Sequence, residues 1–260
     1  MYVALLMKTV LEFNVWEEHG LYAARAVDVK KLCMARNCSR NTEETQIRLG
    51  KKRAEGYAVH GASSICRKSR YLITNEDIIE VQGPQTSGEV EIVAVMDRGE
   101  ALVSVGSDHN DRSLETMWTE ATGKVYDSAK MKQMVPAVVA KDAWKYEHVK
   151  DHWDKLTLRS YVTVLGKRIP YQDFTLGNLV KLDSHFTSHP WLREDGVILF
   201  GGTSDTLPTV PLNIYRFQSS IKGLIFPKDF HFEVHDPVLK RTISHSYMIL
   251  TIEEPESLSL

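Results

Sequence analysis

Residues 84–115 read PQTSGEVEIVAVMDRGEALVSVGSDHNDRSLE, and the fold is decided there. VEIVAV and ALVSVG are short β-branched apolar runs separated by Asp97, Arg98 and Gly99, which is the pattern of two strands and a turn. In a strand, residues two apart point to the same side, so Glu89 and Glu91 leave the sheet as a pair. Two carboxylates shielded together repel each other unless something positive compensates them. A divalent cation is the usual compensation, and Asp108, at the mouth of the second strand, is placed to be a third oxygen ligand. Three hard oxygens suit Mg²⁺ better than Zn²⁺, which prefers nitrogen and sulfur. Two plainer readings stand beside this one. A Glu-x-Glu pair also suits the solvated face of an antiparallel sheet, and SDHND also suits a turn.

Outward from this stretch, β patterning continues. YLIT and DIIEV precede it, and DGVILFGGTSDTLP is an apolar strand ending in a small-residue turn whose N–H groups can meet an anion, or which simply closes the strand. HFEVHDPVLKRTISHSYMIL reads as a strand pair joined by DPVLKR. VALLMKTVLEFNVW supplies a strand, whereas LYAARAVDVKKLCMARN has a helical look. RNTEETQIRLGKKRAEG (40–56) reads as a charged helix or a mobile segment. In AWKYEHVKDHWDKLTLRSYV, Trp144, His148, Asp151, His152 and Lys155 fall at helical spacings. His148 and His152 have no third ligand at a recognisable offset. KRIPYQDFTLGN begins a loop-rich stretch. Trp144, Trp153 and Tyr161 are assigned to core or dimer packing.

The chain has 260 residues, 43% of them hydrophobic, which is enough for one sizeable core or two small ones. A net charge of −2 excludes a global pull toward nucleic acid or an anionic membrane, and KKR at 51–53 reads as solvated surface. No window approaches a membrane span, and MYVALLMKTVLEF, a short apolar run broken by Lys8, is not expected to act as a signal peptide. Three cysteines without ligand spacing fit a reducing compartment, so the expectation is a cytoplasmic protein.

From about Arg40 to the end, the chain resembles a bacterial and fungal branch, of unassigned function, of the fumarylacetoacetate hydrolase superfamily. The resemblance rests on TSGEVEIV, GSDHNDRSLE, KQMVPAVVAKDAW, HVKDHWDKLTLRSY, GVILFGGT and EVHDPVLKRTISHSY, in that order. It implies a mixed, mostly β (α+β) fold with a folded-over sheet and a few helices, assembled as a homodimer. On this reading residues 1–56 form an N-terminal segment that could act as a lid, and 57–260 the catalytic core. The resemblance implies that Glu89, Glu91 and Asp108 hold Mg²⁺ or Mn²⁺. It also implies that Lys132 faces the substrate and that Gly202 and Thr203 form the turn contacting substrate oxygens. Arg112 is either a partner of the acidic cluster or a clamp for a substrate carboxylate.

The superfamily's chemistry needs an enolate-like charge stabilised on adjacent oxygens. The implied activity is therefore a metal-dependent hydrolase or lyase acting on a small 1,3-dicarbonyl or β-keto acid. Hydrolysis also needs a base, which in the superfamily is a His-x-x-Glu pair near the N-terminus. Here Arg48 and Lys51 stand at those places, and neither readily accepts a proton near neutral pH. His19, His60 or His109 could substitute, His109 being nearest a ligand. Arg48 would then face the substrate as a cation. The departure leaves open an alternative, a non-hydrolytic isomerase or cyclase of a biosynthetic pathway, working with or without an ion.

Overall fold

The computed structural model describes residues 8–17, 20–54, 63–114, 132–217 and 221–252, apart from the side chains of residues 44, 48, 52 and 53. The quoted stretch forms an antiparallel hairpin of β8 (Val90–Asp97) and β9 (Glu100–Asp108), registered from Asp97↔Glu100 to Val90↔Ser107. Arg98 and Gly99 turn it with φ of 53° and 74°. Positive φ at both loop positions matches the right-handed twist of the flanking strands. All eight residues of β8 are buried, so its run is apolar throughout instead of alternating.

This hairpin lies inside a ten-stranded sheet. The strand order is β2 (Tyr22–Asp28), β1 (Val10–Trp16), β12 (Asp142–Lys145), β9, β8, β15 (Val197–Phe200), β3 (Lys31–Arg36) and β4 (Ser64–Lys68). β11 (Ala137–Val139) pairs with β9, and β5 (Ile73–Thr74) with β11. A five-stranded sheet follows the order β14 (Lys167–Thr175), β13 (Thr157–Val164), β16 (Asp229–Asp236), β17 (Arg241–Ile252) and β6 (Ile78–Gln82). A short pair joins β7 (Thr86–Ser87) to β10 (Asn110–Asp111). Two α-helices, α1 (Thr42–Ala54) and α2 (Leu182–Ser188), complete the described elements together with short 3₁₀ turns.

Two cores result from the two faces of the hairpin. One face sends Ile92, Ala94, Val103 and Val105 against Phe230, Phe232 and Tyr247 of the five-stranded sheet. The other sends Val93, Val95 and Leu102 against Phe13, Val15, Leu32, Met34 and Phe200. All eight of those residues belong to the ten-stranded sheet, so that sheet folds over and encloses a core of its own. The expected mostly β, folded-over architecture is therefore the observed one.

Several local expectations change. The LYAARAVDVKKLCMARN segment forms β2 and β3, because pairing with β1 and β15 outweighs its helix-forming alanines and lysines. Residues 143–162 are not one helix: β12 runs into 3₁₀ turns at Tyr146–His148 and Lys150–Lys155, then into β13. His148 and His152 therefore do not share an α-helical face, and His152 instead meets Asp236 at 3.0 Å. The stretch read as loop-rich opens with β14. The 1–56 segment gives three strands to the large sheet, β3 lying between β15 and β4, so it is built into the core assigned to 57–260. α1 forms as a helix, with acids in its first turn and lysines in its last, complementing the helix dipole. No helix among the described residues is long and apolar enough to cross a membrane.

Candidate functional site

The start of β8 and the end of β9 are antiparallel neighbours, with Glu91 opposite Gly106. Glu91 lies on the face of β8 that carries Val93 and Val95, and Asp108 on the face of β9 that carries Gly106. Both therefore stand at the same end of the folded-over core. Glu89, just ahead of β8, completes the group: one carboxylate oxygen from each of Glu89, Glu91 and Asp108 lies within 4.8 Å of the others. Close packing holds this end together. A Cβ at Gly106 would come 2.6 Å from the Val138 carbonyl oxygen. Gly202, at φ 93°, lets its N–H donate to Glu91 Oε2 at 2.8 Å, and a Cβ there would meet the Cys38 Cβ at 2.8 Å.

Three cations face the three acids. Lys132 donates to Asp108 Oδ2. Arg112 donates to Glu89 Oε1 at 2.6 Å and to Ser87 Oγ at 2.7 Å, with its guanidinium over the rings of Tyr215 and Phe217. The third is Lys68 on β4, whose fully buried Nζ lies 3.9 Å from Asp108 Oδ1. β4 is four strands from β9 along the sheet, roughly 19 Å if the sheet were flat. The short distance exists only because the sheet folds over.

Burial sets the protonation of these groups. It pushes the Glu91 carboxyl up to about 8, opposed by the Lys132 ammonium and reinforced by Glu89. Burial, with Lys132 nearby, pushes Lys68 well below the usual lysine range. Asp108 is wholly buried, and its Oδ1 accepts no hydrogen bond.

The structure thus brings together Glu89, Glu91, Asp108, Lys132, Arg112 and Gly202. Arg112 takes the first of its two expected roles, partner of the acidic cluster, while Gly202 and Thr203 are engaged by groups of the chain itself. Gly202 donates to Glu91, and Arg112 holds Glu89. Thr203 Oγ1 donates to the Val90 carbonyl and accepts from Gln172, both at 2.8 Å. His109, expected as a base, points the other way. The alternation that aims Asp108 at Lys132 sends His109 into the core between the sheets, where Nδ1 meets the Tyr247 hydroxyl at 2.8 Å. Burial, with Arg112 and Lys68 adding to it, holds its imidazole well below the ordinary histidine range. His109 is a packed core residue.

Lys51 is exposed on α1. Arg48 is also on α1, but its side chain lies outside the described residues, as do His19 and His60. Trp144 and Trp153 are buried in the core, as expected, and Tyr161 carries Arg168 over its ring. Lys68 and Gln172 were missed. The available signal for Lys68 was a lysine at an inward position of the alternating run SICRK.

Solved structures share this architecture. Cg1458 with inhibitor aligns at a TM-score of 0.56 and 13% identity, over 94% of this chain and 89% of that one. The 5-carboxymethyl-2-hydroxymuconate delta-isomerase from Mycobacterium smegmatis aligns at 0.53 and 12%, over 95% and 94%. Yeast ynq8, a fumarylacetoacetate hydrolase family protein, aligns at 0.51 and 11%, over 87% and 95%. The fold is that of the fumarylacetoacetate hydrolase superfamily. No curated protein matches the chain. A family model described as "Protein of unknown function (DUF2848)" matches residues 60–247, and the chain belongs to that family.

Proposed function

We propose that this protein is an enzyme acting on a small 1,3-dicarbonyl or β-keto acid as a hydrolase or lyase, with Mg²⁺ or Mn²⁺ held by Glu89, Glu91 and Asp108. The observation that carries this reading is the convergence of three carboxylates, two of them buried, within 4.8 Å of one another. The donor set fits the ion. All three groups offer hard oxygens, which suit Mg²⁺ and Mn²⁺, and Asp108 Oδ1 is a buried acceptor that receives no hydrogen bond. When bound, such an ion supplies a Lewis acid for two adjacent substrate oxygens.

The chain's own groups support the same chemistry. Gly202 N–H and Arg112 orient Glu91 and Glu89. Lys132 places positive charge beside Asp108, where it favours an anionic substrate and an enolate-like charge. Three buried free cysteines support a cytoplasmic location. Ile78 on β6 and Met248, Leu250 and Ile252 on β17 are all more than half exposed, a row of apolar side chains that supports assembly as a homodimer.

The test compares Mn²⁺ and Mg²⁺ binding by wild type and Glu91→Ala, followed by turnover of β-keto acids and acylpyruvates with and without chelator. The expected result is one ion per wild-type chain, none for the variant, and turnover that stops with chelator. Wild type without affinity for either ion, or turnover indifferent to chelator, would overturn the metal-dependent reading.

A further inference from the structure

Pairing between β13 and β14 slips by one residue. Ser160 faces Gln172 and Tyr161 faces Pro170, so Tyr171 has no partner across the ladder. This β-bulge turns Tyr171 and Gln172 inward together, where plain alternation would send one of them to solvent. Tyr171 donates its hydroxyl to the Tyr215 carbonyl at 3.0 Å. Gln172, only 1% exposed, reaches from the five-stranded sheet to the backbone that flanks the carboxylates of the other.

Its amide is fully used. Oε1 accepts from the Val90 N–H and from Ser160 Oγ, each at 3.0 Å. Nε2 donates to Thr203 Oγ1 at 2.8 Å and to the Ser204 carbonyl at 2.7 Å. The Val90 N–H can only donate and the Ser204 carbonyl can only accept, so the orientation of the amide is unambiguous. Val90 lies between Glu89 and Glu91. Thr203 and Ser204 directly follow Gly202, whose N–H holds Glu91.

We infer that Gln172 is a positioning residue for the carboxylate triad. From a separate sheet, it fixes both the backbone that carries Glu89 and Glu91 and the loop that orients Glu91, and so sets the cation affinity of the site. This rests on the metal-binding reading above. Partners outside a ligand set commonly change metal affinity about 10- to 100-fold when removed, and a loss of that size is expected for Gln172→Met, which keeps the length and loses the amide.

The experiment measures Mn²⁺ affinity from the electron paramagnetic resonance signal of free Mn²⁺, alongside the thermal midpoint, for wild type, Gln172→Met, Thr203→Val and Thr203→Ser. Gln172→Met and Thr203→Val should both bind more weakly, while Thr203→Ser, which retains the hydroxyl, should bind as wild type does. If Gln172→Met does not fold, the contrast between the two Thr203 variants decides the matter. Variants that melt earlier yet bind Mn²⁺ as tightly as wild type would overturn the positioning role and leave the metal reading standing. A wild type that binds no Mn²⁺ would take down both.

Discussion

Glu91 gives the prediction with the most direct readout. Its carboxyl is 3% exposed, and burial raises it to about 8. Near pH 7 the protonated form therefore predominates. A cation that takes up this oxygen must expel that proton. Calorimetric titration with Mn²⁺ near pH 7, in two buffers of different ionisation enthalpy, should therefore report release of up to about one proton per ion. The apparent affinity should weaken about tenfold for each pH unit below about 8, and level off above it. Glu91 also sets the sign of a stability change. Its folded value lies above the ordinary 4.5, so its contribution is complete below that pH and is lost as pH rises through about 8. Without added ion, the thermal midpoint should accordingly fall between about pH 6 and pH 8, and saturating Mn²⁺ should remove the difference. Binding that releases no proton and keeps a flat affinity across that range would refute the reasoning.

Three further outcomes follow from the packing. Tyr247→Phe removes the hydroxyl that meets Ser107 Oγ at 2.9 Å and His109 Nδ1 at 2.8 Å, which should cost about 1–3 kcal/mol in urea unfolding. Mn²⁺ affinity should be unchanged, because His109 faces away from the triad; a loss of affinity would restore His109 to the site. Gly106→Ala drives a methyl into the Val138 carbonyl and the Phe200 ring, a strain of about 1–3 kcal/mol that should lower the melting temperature by several degrees; an unchanged melting temperature would show that β11 yields freely. Asp236→Asn removes the charge that holds Arg241 at 3.3 Å between the rings of Trp16 and Trp144. The buried guanidinium is then uncompensated, and urea unfolding should show a loss of about 3–5 kcal/mol; a stability equal to wild type would count against that account.

What could be read from the sequence follows the range of the interactions. The β8–β9 hairpin and its three carboxylates were legible because pattern and partner lie within one short stretch. Lys68 was not, because its counter-charge arrives only after the sheet folds over. β2 and β3 were hidden by alanines and lysines that favour a helix in isolation and are overruled by pairing. Gln172 was hidden by a bulge, which breaks the period on which such reading depends. His109 is instructive in another way. The rule that pairs Glu89 with Glu91 also sends neighbouring residues to opposite faces, and applied one step further it separates His109 from Asp108.

The folded-over sheet also makes the site a late product of folding. Lys31 pairs with Val197 in parallel, and Asn14 with Asp142, so the strands around the triad close over very long intervening chain. Such pairings carry a large loop-closure cost and form slowly. On a ribosome, Glu89 and Glu91 emerge long before Gly202, whose N–H orients Glu91. If the triad holds an ion as proposed, a cation-competent centre would arise only once most of the chain is in place, and ion uptake would then serve as a clock for the completion of the fold.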